Sequence, residues 1–116
     1  MKESILHSKA LEFATQIVLF YQEFSKAHKD NTLSKQLLRS GTSIGANLNE
    51  ATFGNSKADF VAKLHISLKE TGESLYWLKL LHNAKMMEAA KADELISLAE
   101  EIKAMLIASL NTAKGK

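Results

Sequence analysis

Apolar residues recur along this chain at helical spacing, and four blocks of that spacing are separated by short polar breaks. From about residue 4 to 27, Ile5, Leu11, Ala14, Ile17/Val18, Tyr21 and Phe24 give one broad stripe, with Lys9, Glu12, Gln16, Gln22 and Lys26 elsewhere. Lys26 to Thr32 is a polar break holding Asp30, Asn31 and Thr32, good cap and turn residues. A second block, about 33–53, carries Leu37, Ile44, Leu48 and Ala51 inward. Gly54-Asn55-Ser56 reads as a stop and a restart. Gly54 suits a left-handed C-cap, and Ser56 with Asp59 three residues on resembles a capping box. The third block, about 57–84, has one stripe of Phe60, Leu64, Leu68, Thr71, Leu75 and Leu78. A neighbouring stripe of Ile66, Glu70, Glu73, Trp77 and Leu81 is apolar at its ends and acidic in the middle. After a short break over residues 83–90, the fourth block, about 91–112, turns Leu95, Leu98, Ile102, Met105/Leu106 and Leu110 inward. Four such helices with short connections predict an all-α, antiparallel up-and-down four-helix bundle, a single domain over residues 1–116.

Composition changes this picture little. The chain has no proline to interrupt its helices and no cysteine, so disulfides, zinc thiolates and a thiol nucleophile are excluded. The longest apolar run is five residues, so no membrane span is expected. The start of the chain shows no signal-peptide core, and with the missing cysteines a cytoplasmic location is the expectation. A formal charge of +2 does not by itself announce a nucleic-acid binder.

Catalytic signatures are missing where they would be looked for. Gly41 to Asn47 (GTSIGAN) has no preceding strand and no following Gly-Lys-Ser/Thr, so it is not a phosphate loop. None of His7, His28, His65 and His82 follows a glutamate by three residues, which di-iron bundles require, and no HExxH or G-x-S-x-G motif exists. No enzyme, cofactor or metal site is expected. Glu70 and Glu73 could serve as a carboxylate pair for acid–base chemistry, but an antiparallel turn at 54–56 brings Arg39, the single arginine, level with them. Arg39 is therefore expected to pair with Glu70 or Glu73 as a structural ion pair.

The segment Gln36 to Glu50 is the least ordinary part of the chain. Two glycines inside a helix cost roughly 1 kcal/mol each relative to alanine, so Gly41 and Gly45 imply close approach by another backbone. Together with Asn47, Glu50 and Trp77 they are candidate subunit-interface residues, although Asn47 and Glu50 could equally belong to a solvated face. Lys57, Lys63 and Lys69 are candidate nucleic-acid contacts. Each six-residue step between them turns about 240°, so they form no tight stripe on one chain, and a positive surface would need several copies.

The motif Arg-Ser-x-Thr-Ser-Ile-x-Ala-Asn-x-x-Glu falls on Arg39, Ser40, Thr42, Ser43, Ile44, Ala46, Asn47 and Glu50. A second, Lys-Glu-x-x-Glu-Ser/Thr-x-Tyr-Trp-Leu, falls on Lys69, Glu70, Glu73, Ser74, Tyr76, Trp77 and Leu78. In combination they resemble the four-helix-bundle family encoded by intervening sequences within bacterial 23S rRNA genes, sometimes labelled S23-like. The resemblance spans about residues 33–81 closely, with Gly72 and Leu48-Asn49 as modest departures. It implies a homo-oligomer, a ring of five bundles. The family is also similar to the accessory protein of diversity-generating retroelements, which binds nucleic acid and a reverse transcriptase through a basic assembled surface. The resemblance thus implies a non-enzymatic oligomeric bundle that contacts RNA or DNA. The alternative is a structural or protein-adaptor bundle with no nucleic-acid affinity.

Overall fold

The computed structural model describes residues 2–115, with the side chains of residues 5–115. Four helices follow one another, α1 (Lys2–Ala27), α2 (Thr32–Thr52), α3 (Lys57–Asn83) and α4 (Ala89–Ala113), with no strand among the described residues. They form a bundle 46 Å long and about 20 Å across. Neighbours run antiparallel: Glu50 meets Lys63 while Arg39 meets Glu70 and Glu73, and Lys9 meets Glu101 while Gln16 meets Lys91. α2 and α3 share the most extensive contact, and α1 and α4 the least.

One core runs the length of the bundle, with Phe13, Ile17, Leu37, Ile44, Leu78, Leu95 and Ile102 fully buried. Burial at this scale is the main stabilising contribution, on the order of 1.5–3 kcal/mol for each large aliphatic or aromatic side chain. Only the face of α1 differs from the sequence pattern. Ile5 and Leu11 are 53% and 69% exposed and Leu6, Ala10 and Phe13 point inward in their place, while Ile17 and Phe24 of the expected stripe are buried. α1 is apolar on more than one side, so periodicity alone left two faces open. The inward set places the small Ala10 against Gly45, where a large side chain would hold the helices apart.

The breaks between helices are set by local hydrogen bonding. Asp30 Oδ1 accepts from the backbone N–H and the hydroxyl of Thr32 (3.0 and 2.7 Å), which orders the entry to α2. These bonds, the backbone one foremost, hold the Asp30 carboxyl below the usual carboxylate range. Ser56 Oγ accepts from the Asp59 N–H at 3.1 Å, capping α3. Gly54 is not left-handed, contrary to the sequence expectation. Its lack of a side chain serves space instead, because a Cβ there would lie 2.9 Å from Asp59 Oδ2 and 3.2 Å from the Ala51 carbonyl oxygen. The left-handed residue is Lys85, with φ of 62°, just past α3. There the Met86 N–H donates back to the Leu81 carbonyl at 2.8 Å, so α3 closes on the six-to-one bond of a Schellman motif. That tight ending lets α4 begin at Ala89, two residues before the periodicity suggests.

Candidate functional site

Arg39, Glu50, Lys63, Glu70 and Glu73, all singled out in the sequence, meet on the seam between α2 and α3, which is built in three tiers. At the first tier Arg39 bridges two carboxylates. Its Nη1 lies 3.3 Å from Glu70 Oε1 and its Nη2 donates to Glu73. Glu70 is buried, only 8% exposed, so its charge needs a partner. The Arg39 side chain is half exposed and lies across the mouth of the seam. Its hydrogen bond to Glu73, ahead of the charges of both glutamates, raises the guanidinium above its already high range.

The middle tier is built from small hydroxyl side chains. Ser40 Oγ and Ser74 Oγ lie 2.9 Å apart in full burial, and Ser67 Oγ donates to the Ile44 carbonyl at 2.9 Å. Thr71 sits between the two α3 serines and donates to the Ser67 carbonyl at 2.8 Å. Residues 67, 71 and 74 follow the i, i+4, i+7 spacing of one helical face. That spacing is the available sequence signal for a polar seam, and the turn at 54–56 that sets Arg39 level with Glu70 and Glu73 also sets Ser43 level with Ser67, one residue from the true partner. Ser43 instead donates to the Arg39 carbonyl at 2.7 Å, and Asn47 Nδ2 donates to the Ser43 carbonyl at 2.9 Å.

At the third tier Glu50 and Lys63 form an ion pair of 2.7 Å. The hydrogen bond to Glu50 raises the Lys63 ammonium above the usual lysine range. Lys63, a candidate nucleic-acid contact, and Glu50, a candidate subunit contact, are thus engaged with each other within one chain. The glycines also have close neighbours within the chain. Gly41 is buried, and a Cβ there would come within 3.1 Å of Ile17 Cγ1 and 3.4 Å of Phe13 Cε2. A Cβ on Gly45 would meet Ala10 Cβ at 3.6 Å. Both glycines therefore serve the close approach of α1 to α2 inside the subunit. Trp77 is half-buried against the core, edge-on to Tyr76 at 5.2 Å, and its Nε1 is buried without a hydrogen-bond partner among the described residues.

Charge divides unevenly over the bundle. Between residues 32 and 83 there are six basic side chains (Lys35, Arg39, Lys57, Lys63, Lys69, Lys79) against four acidic ones (Glu50, Asp59, Glu70, Glu73). That difference is the chain's whole net charge of +2. Three of the four acids are held in ion pairs, whereas Lys35, Lys57, Lys69 and Lys79 are exposed and enter no ion pair among the described residues. No group of three or more metal-ligating side chains occurs among the described residues, and no helix is long and apolar enough to cross a membrane.

The comparisons agree with this architecture. A family model described as 23S rRNA-intervening sequence protein matches residues 2–108. The crystal structure of a protein of unknown function from the S23 ribosomal protein family of Bacteroides thetaiotaomicron is 41% identical in sequence. That match covers 96% of this chain and 99% of that one, with a TM-score of 0.92. No curated protein matches. Neither match speaks to the likeness to the accessory protein of diversity-generating retroelements.

Proposed function

The chain belongs to the 23S rRNA-intervening sequence protein family, and from that premise we propose that it is a non-catalytic, self-assembling helical module that binds RNA or DNA. The observation that carries the reading is the surplus of unpaired lysines on the α2–α3 half. Lys35, Lys57, Lys69 and Lys79 project to solvent while three of the four acids on this half are neutralised within the seam. Phosphates are met by such a surface through counterion release. Spread over separate turns, four lysines make a weak site on one chain, and copies arranged in a ring, of five as the resemblance implies, would multiply it. Glu70 and Glu73, the carboxylate pair considered for acid–base chemistry, are occupied by Arg39. The likeness to the retroelement accessory protein points the same way, toward an assembled basic surface.

Fluorescence anisotropy with labelled 20-nucleotide RNA and DNA, titrated across salt, tests the reading. Binding should weaken steeply with salt, with a log–log slope of roughly −0.7 per phosphate contact on single strands. Replacing Lys35, Lys57, Lys69 and Lys79 with glutamine should weaken it at least tenfold at low salt. A wild-type protein that retains neither nucleic acid at low salt overturns the proposal in favour of an adaptor bundle. A monomer by light scattering at micromolar concentration removes the assembly from it.

A further inference from the structure

At the end of the bundle where α1 and α3 begin and α2 and α4 finish, the core opens into a cavity of about 420 Å³. Its walls are Leu6 from α1, Leu48 from α2, Phe60 and Leu64 from α3 and Met105 from α4. The opening has a cause in the sequence. Leu106 and Leu110 continue the buried face of α4 at this level, but the flank beside them carries only the small Ala108, Ser109, Thr112 and Ala113, and α2 contributes the small Ala51. Small side chains on that flank and on α2 leave the space open beside the buried leucines. We infer that this cavity is a binding site for a small, uncharged, largely aliphatic molecule carrying a single hydroxyl or carbonyl group. The inference stands apart from the nucleic-acid reading, since it uses the opposite side of the chemistry and none of the lysines.

Three observations carry the ligand's class. The volume falls within the roughly 300–1,000 Å³ of small-molecule pockets, and the space between helices of a bundle is a common place for one. The lining contains no lysine, arginine, aspartate or glutamate, so nothing there would compensate a charged head group withdrawn from water. The polar groups present, His7, Thr52, Ser109 and Thr112, are hydrogen-bonding side chains. The imidazole is held in place: the Thr52 hydroxyl donates to the Leu48 carbonyl at 3.2 Å, so His7 Nε2 donates to Thr52 Oγ1 at 3.0 Å. Ser109 and Thr112 hydroxyls are the groups left to meet a ligand's oxygen.

The test uses the full chain with N-phenyl-1-naphthylamine as fluorescent probe, and 1-octanol and octanoate as competitors. The probe's emission should rise on binding, and octanol should displace it with at least tenfold greater potency than octanoate. Saturating octanol should raise Tm by about 5 °C or more. Ser109→Phe and Ala113→Leu, which narrow the cavity, should each lower probe affinity at least tenfold while helicity by circular dichroism is unchanged. If either variant misfolds, the other serves. The inference is overturned by any of three results: no displacement by octanol, equal potency of octanoate, or unchanged affinity in both variants. Loss of probe binding as protein concentration rises, which would place a second copy in the cavity, also overturns it.

Discussion

The α2–α3 seam and the α1–α4 seam solve the same packing problem with different materials. α2 and α3 meet along a ladder of buried hydroxyls closed at each end by an ion pair, Arg39 with Glu70 and Glu73 and Glu50 with Lys63. α1 and α4 touch far less and are joined across their surface by Lys9 with Glu101 and Lys91 with Gln16. Polar bonds in a buried seam are geometrically demanding, because each fixes a register and leaves an unsatisfied group if it slips. Apolar contact tolerates a shift. The bundle thus has one half held in a single register, which also carries the net positive charge, and another half that can yield, with the cavity at one end where all four helices meet. The difference gives the proposed phosphate surface a fixed base, and the α1 and α4 walls give the cavity room to adapt to an apolar guest.

The largest effect should come from the ladder's charged end. Arg39→Met leaves the buried Glu70 carboxylate without its partner and should destabilise the fold by about 1–3 kcal/mol, read from the urea midpoint. The exposure of Arg39 and Glu73 keeps the loss toward the lower part of that range. Adding Glu70→Gln to the same chain should restore part of the loss, because the charge that needed compensation is gone. If Arg39→Met matches the wild type, the seam is not held by its ion pairs and the contrast breaks.

The corresponding change on the other side should be small. Lys9→Ala removes a bond between side chains that are 31% and 55% exposed, so the urea midpoint should move by less than about 0.5 kcal/mol. A larger loss would mean that α1 and α4 depend on a polar link after all.

These two outcomes bear on what the residues alone could reveal. The four helices were legible because long apolar periodicity with no proline admits little else, and Arg39 fell level with the acidic stripe of Glu70 and Glu73 once the turn at 54–56 was placed. The face of α1 was not legible. Ile5 and Leu11 are as apolar as Leu6 and Phe13, and the choice between them depends on the smallness of Ala10 and Gly45 on the neighbouring helix. Gly41 and Gly45 were read as a need for close approach, which the structure shows, but sequence cannot tell a helix of the same chain from one of another. The cavity was invisible for a related reason. Ala108, Ser109 and Ala113 look like ordinary positions on an amphipathic helix until Ala51 is found opposite them. Lys85 in its left-handed turn carries no local signal, since glycine or asparagine is the residue that marks such a cap.

Native-state hydrogen exchange read residue by residue tests the division of the bundle most directly. Amides in the middle of α2 and α3, around Ser40 to Ile44 and Ser67 to Ser74, should exchange only through global unfolding. Those in the first turns of α1 and the last turns of α4, beside the cavity, should exchange through smaller openings with clearly lower free energy. Equal protection across all four helices, or weaker protection in α2 and α3 than in α4, would contradict the account.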